Sequence, residues 1–270
     1  MGTDITLRVF GSRGSTPVHG SDFTRYGGAT SCIAVNIGGE SVILDAGSGL
    51  TGAAKWVPKS GEFSILISHP HIDHIIGLTS FAPLHNPDNS VRIFAAEHGG
   101  LGAQEQVERL MSAPLWPLGT EVFSDSTQFC DIDSDGTFQI GAVRVDTIEG
   151  NHPGGCTVYK LTHGEHSIVY CTDFEHDKHH SERLASFAAD CELLIYDAQF
   201  SDAEYETKQG WGHSTREEAV RLARRCGVRK LLLFHHSPSR TDDALDAAEA
   251  LTRLDFPDSS FAKREEVVLL

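Results

Sequence analysis

Long apolar stretches are missing from this sequence of 270 residues. A membrane-spanning helix needs about 20 consecutive apolar residues, and no run approaches that length, which argues against a membrane partner. Met1–Phe10 alternates polar and apolar residues and lacks the apolar stretch of a signal peptide. We therefore expect a cytoplasmic protein.

Paired cysteines are also absent, since no Cys-x-x-Cys motif occurs. Most of the cysteines lie in apolar segments that look like strands or helices, which is typical of buried thiols. Buried, unpaired thiols indicate a reducing compartment. The six cysteines are Cys32, Cys130, Cys156, Cys171, Cys191 and Cys226.

Basic residues are few. The chain has 22 Lys and Arg against 38 Asp and Glu, and its formal net charge is −16. Such a field repels polyanions and disfavours a nucleic-acid partner. The densest basic group flanks a predicted helix end, where cations stabilise the helix dipole; it comprises Arg224, Arg225, Arg229 and Lys230.

Histidine is abundant, with 15 residues, and it concentrates after one short apolar run. Phe63–Ile67 is predicted to form a buried strand, and the next residues include His69, His71, Asp73 and His74. Alternate residues of extended backbone project to one side, so His69 and His71 can converge on one point, with Asp73 and His74 facing a second. Nitrogen and oxygen ligands suit zinc, iron or manganese. The string predicts a metal site rather than a His-rich surface loop.

Three further predicted strands end at residues that can bind metal. They are Val143–Ile148 before His152, Ser167–Thr172 before Asp173, and Val228–Phe234 before His235 and His236. Taken singly, His152 also fits a turn and Asp173 a strand-end cap. Together they would meet at one sheet edge on rigid elements, as a metal site requires.

Strands dominate the first half of the chain and alternate with helices in the second, with no Pro- or Ser-rich linker. This order favours one domain over residues 1–270, with two sheets packed inside helices. Ser214 and Glu217 form a capping-box pattern that predicts a helix over Ser214–Cys226. The Asp131-x-Asp133-x-Asp135-Gly136 string imitates a calcium loop, but Ala142 replaces the required Glu, so we expect a polar turn.

The order and spacing of these motifs resemble the metallo-β-lactamase-fold hydrolases, in particular the branch with ribonuclease Z and cyclic-nucleotide phosphodiesterases. The resemblance implies an α+β fold, a four-layer αβ/βα sandwich of two mixed sheets flanked by helices. The segments that carry it are Gly11-Ser-Arg-Gly-Ser, Tyr26-Gly-Gly-Ala-Thr-Ser, His-x-His-x-Asp-His, Gly212-His213-Ser214-Thr215 and Phe234-His-His-Ser-Pro.

The family pattern implies two divalent metal ions that share one carboxylate. The implied ligands are His69, His71 and His152 for one ion, Asp73, His74 and His235 for the other, and Asp173 for both. Alignment of the last motif favours His235 and leaves His236 as the alternative. Zinc suits these ligands best, and manganese or iron also fits.

Three more residues resemble supporting or catalytic groups of that branch. Asp45, at a strand end, would orient a ligand imidazole, although it also fits an ordinary turn. Asp197 would hydrogen-bond a histidine. His213, just before the expected helix start, would contact a phosphate and donate a proton; its alternative is a solvated loop residue.

These residues predict a dinuclear metal-dependent hydrolase, a phosphodiesterase for a small phosphodiester or cyclic nucleotide. A metal-bridging hydroxide would attack, Asp73 would accept its proton, and His213, assisted by Asp197, would protonate the leaving group. We expect a small anionic substrate. A homodimer is one possible oligomeric state.

Other functions remain possible for such a site. A thioester, lactone or other carboxylic derivative could be the substrate instead. A non-hydrolytic iron redox enzyme, or a metal-bearing binding or sensor module, ranks below these. So does a tRNA 3′-processing endonuclease, because ribonuclease Z has a protruding arm where this chain has only 20 residues between His152 and Asp173.

Overall fold

Two seven-stranded sheets form the centre of the computed structural model, which describes residues 5–270. The first sheet has the order β14-β1-β2-β3-β4-β5-β6 and the second β13-β12-β11-β10-β9-β8-β7. The strands of the first sheet are β1 Thr6–Gly11, β2 Cys32–Ile37, β3 Glu40–Leu44, β4 Gly61–Ile67, β5 Asn89–Ala96, β6 Thr127–Ile132 and β14 Val267–Leu269. Those of the second are β7 Thr137–Ile140, β8 Val143–Gly150, β9 Cys156–His163, β10 His166–Cys171, β11 Leu193–Asp197, β12 Lys230–Phe234 and β13 Ser259–Phe261.

Both sheets are mixed. Strands β3 to β6 run parallel, as do β10 to β13, and the remaining pairs are antiparallel. Helices cover the outer faces; they are α1 Leu50–Ala53, α2 Ile72–Ile75, α3 Ala103–Leu110, α4 Lys178–Phe187, α5 Asp202–Tyr205, α6 Arg216–Cys226 and α7 Asp242–Asp255. No helix of the described residues is both long and apolar enough to span a bilayer.

The apolar core has three layers. One lies between the sheets, where Leu66 of β4 belongs to the same buried cluster as Leu161 of β9. The second joins the outer face of the second sheet to α4, α6 and α7, and the third joins the first sheet to α1 and α3. Three buried layers between two sheets and two sets of helices make the four-layer sandwich that the resemblance implied.

Strand register aligns the ends that position the site. Cys171 of β10 pairs with Tyr196 of β11, and Asp197 of β11 pairs with Phe234 of β12. The residues that follow these parallel strands therefore leave the sheet at one edge.

Some helices and strands differ from those predicted from the sequence. Helix α6 starts after Thr215, whose side chain accepts a hydrogen bond from the Glu218 N–H, so the cap expected at Ser214 was wrong. Helix α4 begins after Asp177, whose side chain caps it by accepting a hydrogen bond from the His180 N–H. Strands β13 and β14 were not predicted. Gly227 ends α6 in the left-handed conformation, which glycine adopts without strain.

The acidic segment Asp131–Gly136, which imitates a calcium loop, forms the end of a strand followed by a turn. Asp131 belongs to β6, and its Oδ1 accepts the Ala103 N–H at the start of α3. Asp135, in the turn, accepts the Glu149 N–H. All six cysteines are free; Cys130 is partly exposed and the others are buried. The reducing compartment and the single-domain organisation over residues 1–270 stay predictions.

Candidate metal centre

The ends of strands from both sheets meet at one edge and bring seven predicted metal-binding side chains together. The segment after β4 supplies four of them, two from the loop and two from α2, and the loops after β8, β10 and β12 supply one each. Their donor atoms form two adjacent groups. One contains His69, His71 and His152, and the other contains Asp73, His74, Asp173 and His235.

The first group consists of three imidazoles that point at one another. His69 Nε2 lies 2.8 Å from His71 Nδ1, which lies 3.1 Å from His152 Nε2. Burial lowers the pKa of each of the three rings. Each is therefore neutral at pH 7 and has a nitrogen lone pair available for a cation.

The second group surrounds a point between two carboxylates and two imidazoles. His74 Nε2 lies 3.3 Å from Asp73 Oδ2 and 3.1 Å from Asp173 Oδ2. His235 Nε2 lies 3.3 Å from Asp73 Oδ2 and 3.2 Å from Asp173 Oδ2. Two ligand atoms that each lie about 2.0–2.1 Å from one tetrahedral zinc ion are about 3.3 Å apart. The spacing fits a common ion.

Asp173 faces both groups. Its Oδ2 is the atom that meets the second group, whereas its Oδ1 lies 3.8 Å from His69 Nε2 and 3.9 Å from His152 Nε2. The residue has φ 51°, in the left-handed region, and Thr172 Oγ1 donates to Oδ2 at 2.6 Å. This placement suits the bridging role that the resemblance implied.

The charge balance of the second group also calls for a cation. His74 Nε2 is buried and makes no hydrogen bond to any residue between 5 and 270. Burial opposes protonation of His74, but the carboxylates of Asp173, Asp73 and Asp45 outweigh it and raise its pKa well above the usual value. Three carboxylates around one imidazole are an excess of negative charge that divalent ions compensate, so the residues fit a metal centre.

Asp45 orients two of the rings from behind. Its Oδ2 lies 2.7 Å from His74 Nδ1 and accepts hydrogen bonds from Ser68 Oγ and Tyr170 Oη, each at 2.8 Å. Ser68 Oγ in turn lies 3.0 Å from His69 Nδ1. With both Nδ1 atoms engaged on this side, the Nε2 atoms of His69 and His74 are left to face the centre.

His213 and Asp197 form a buried pair beside the first group. His213 Nδ1 lies 2.8 Å from Asp197 Oδ2 and 3.8 Å from Asp173 Oδ1. Burial alone would lower the pKa of His213, but the carboxylates of Asp197, Asp173 and Asp73, with Asp197 the largest contributor, raise it to about 9. The ring therefore holds a proton at neutral pH, with Nε2 left for another partner.

The structure distinguishes the two neighbouring histidines after β12. His235 has φ 56° and enters the second group. His236 instead points away, with Nε2 2.9 Å from the Ala262 carbonyl oxygen and its ring stacked on Phe261. Gly14 makes room for His235, because a Cβ at Gly14 would lie 2.4 Å from His235 Nδ1.

Sequence reasoning missed two contributors. Glu175 accepts hydrogen bonds from the Gly210 and Gly212 N–H groups, at 2.6 and 2.7 Å, and the Gly212 carbonyl lies 2.8 Å from His152 Nδ1. The Ser15 N–H donates to Asp73 Oδ2 at 2.7 Å. The position of Glu175, two residues after Asp173, could have indicated a role near the site. The Ser15 N–H is a backbone group, so the sequence contains no signal for it.

Comparison with known proteins identifies the family. A family model described as "Beta-lactamase superfamily domain" matches residues 41–236. The chain belongs to the β-lactamase superfamily. Its two mixed sheets with flanking helices are the metallo-β-lactamase fold, and this superfamily member is a metal-dependent hydrolase.

Among relatives of this hydrolase, the probable metallo-hydrolase YhfI of Bacillus subtilis is 26% identical over 77% of the chain and 80% of its own length. The crystal structure of YhfI matches with a TM-score of 0.73 over 98% of the chain and 99% of YhfI. Ribonuclease Z of Thermoplasma volcanium is 22% identical over 90% of both chains. A diphosphatase of the PhnP family has the same fold, with a TM-score of 0.72 and 18% identity over 100% of this chain and 98% of its own.

Proposed function

We propose that this hydrolase binds two divalent metal ions, zinc in the first instance, and cleaves a small phosphodiester or cyclic nucleotide. The observation on which the proposal depends is Asp173, whose two oxygens face two separate sets of donors. A carboxylate shared in this way is the natural bridge of a two-metal site, and two-metal sites are common in phosphatases and nucleases.

An anionic substrate suits the local charge, although the chain as a whole is acidic. Two divalent ions would exceed the charge of the carboxylates that face them, Asp73 and Asp173. Protonated His213 adds a further positive charge at the same place. The centre would thus be electropositive within a chain of net charge −16, which favours a compact anion over an extended nucleic acid.

When bound, the two cations would polarise a water molecule and offset the charge that develops on the phosphoryl oxygens. Asp73 is held through Oδ2 by the Ser15 N–H, so Oδ1 can orient the attacking water and accept its proton. His213 would donate its Nε2 proton to the departing alkoxide oxygen as the P–O bond breaks. Asp197 keeps that ring oriented and charged through Nδ1.

The segment between His152 and Asp173 favours a small substrate over tRNA. It consists of the β9–β10 hairpin with a turn at Gly164 and has no protruding arm. Although a ribonuclease Z is among the relatives, the protruding arm of ribonuclease Z has no counterpart between His152 and Asp173 in this chain. The cytoplasmic location and a homodimer remain predictions.

The test combines metal analysis with a substrate panel. Protein purified without chelator is expected to contain close to two divalent ions per chain by elemental analysis. It should hydrolyse bis-p-nitrophenyl phosphate and a cyclic nucleotide, and chelation should abolish both activities. Turnover of a thioester or lactone alone would refute the phosphodiesterase proposal, and metal-free protein with full activity would refute the metal centre.

A further inference from the structure

An exposed tryptophan lies next to the metal centre, on the loop between α5 and α6. Trp211 is 56% exposed. It precedes Gly212, whose carbonyl contacts the His152 ring, and His213 follows. Because successive Cα atoms are about 3.8 Å apart, Trp211 stands one residue from the wall of the site.

The backbone on both sides of Trp211 is fixed. The Glu175 carboxylate accepts the N–H groups of Gly210 and Gly212, one on each of its oxygens. Both glycines have positive φ, 82° and 83°. A Cβ at Gly212 would lie 2.2 Å from His152 Nδ1, so the close approach requires glycine. The backbone that carries this exposed apolar side chain is thus fixed, as the support of a preorganised binding surface would be.

Lys208 gives the indole a cationic neighbour. Its Nζ lies 3.8 Å from the Trp211 ring centroid, in cation–π contact. Within residues 5–270, Lys208 has no carboxylate in salt-bridge range and no aromatic ring packs on Trp211. A cation without a carboxylate partner and an indole without an aromatic partner, among the residues described, therefore lie together on the loop beside the site.

We propose that Trp211 is a specificity-determining residue that stacks on a flat aromatic ring of the substrate, an inference that rests on the proposed phosphodiesterase function. The ring belongs to the ester group that stays on the phosphate when the leaving group departs, and the phosphate itself occupies the metal centre. Stacking of a base on an aromatic side chain contributes roughly a 5- to 150-fold preference. The enzyme would therefore prefer phosphodiesters whose retained ester group carries an aromatic ring over those whose retained ester group is alkyl.

Two esters with one leaving group test this assignment. Thymidine 5′-(p-nitrophenyl phosphate) and methyl p-nitrophenyl phosphate both release p-nitrophenolate. The two esters differ in intrinsic reactivity, but this difference is the same for every variant. It therefore cancels when their kcat/KM ratio is compared between variants. In Trp211→Ala and Trp211→Leu we expect the thymidine-to-methyl ratio to fall about 5- to 150-fold, mainly through a higher KM for the thymidine ester. Trp211→Phe should retain most of the preference, and the exposed helix residue Leu254 supplies the control variant Leu254→Ala.

The outcomes distinguish a failure of the proposed function from a failure of the assignment of Trp211. If the metal-loaded wild-type protein hydrolyses neither ester, the proposed function is wrong and the assignment of Trp211 is wrong with it. If both esters turn over but Trp211→Ala leaves the ratio unchanged, only the assignment is wrong. Full rescue by Trp211→Leu would also overturn it, because an aliphatic side chain supplies apolar area without stacking. Should the alanine variant fold poorly, the Leu and Phe variants make the same comparison.

Discussion

Asp197→Asn is the substitution that best isolates the proton held by His213. The carboxylate lies 2.8 Å from His213 Nδ1 and is the largest of the contributions that raise the pKa of that ring to about 9, against the effect of burial. An amide keeps a hydrogen-bond acceptor of the same size but removes the charge. The His213 pKa should then fall to its ordinary value of about 6.5 or below.

The size of the effect follows from the fraction of protonated ring. At pH 8, an imidazole with a pKa of about 9 is roughly 90% protonated, whereas one with a pKa of about 6.5 is roughly 3% protonated. If His213 is the general acid, kcat at pH 8 should drop at least about 30-fold and recover partly at lower pH. Bound cations lower the pKa in both proteins, so the shift of the alkaline limb between them, about two units or more, is the quantity to measure.

The assay compares two leaving groups over pH 5.5–9.5. A p-nitrophenolate leaves without protonation, so bis-p-nitrophenyl phosphate should lose much less rate than a cyclic nucleotide, whose alkoxide needs the proton. Asp243→Asn, which removes an exposed carboxylate, is the matched control and should change neither profile. An unshifted alkaline limb, or equal losses on both substrates, would refute the role given to His213.

Three further predictions address the support of the centre. Asp45→Asn, which disturbs the acceptor for His74 and Ser68, should weaken metal binding about 10- to 100-fold; a wild-type metal content after dialysis against a weak chelator would contradict this. Glu175→Gln should place an amide against the N–H groups of the Gly210–Gly212 loop and lower kcat about 10- to 100-fold while the metal stays bound. Tyr205→Phe, which removes only a hydroxyl from the same carboxylate, should cost much less, and equal losses would argue against the clamp. Removing the metal should lower the midpoint of thermal unfolding by about 5–10 °C, since a ligand at 100 times its Kd stabilises the fold by about 2.7 kcal/mol; an unchanged midpoint in chelator would contradict it.

The side chains that face the metal centre could be predicted from the sequence. A buried strand followed by His69, His71, Asp73 and His74 has both the ligand chemistry and the spacing, and the structure gathers these residues with the strand-end residues downstream. Parallel strands that end at one edge explain why a linear pattern could predict a three-dimensional cluster.

Other parts of the site could not be predicted because they depend on backbone groups or tertiary contacts. The Ser15 N–H that holds Asp73 is a donor that every residue but proline has. The helix cap lies at Thr215 instead of Ser214 because Ser214 Oγ is engaged by Tyr196 and His176. Strands β13 and β14, of three residues each, are too short for a periodic pattern.

The left-handed backbone at Asp45, Asp173 and His235 has a consequence for engineering this protein. Side chains with a Cβ are strained there, by about 1–3 kcal/mol each, and glycine would relieve that strain. Glycine would also delete the Asp45 or Asp173 carboxylate or the His235 imidazole, and with it the stabilisation of about 2.7 kcal/mol that bound metal provides. Glycine at these strand ends should therefore raise the stability of the metal-free protein, whereas in the metal-loaded protein the weaker metal binding should offset the gain.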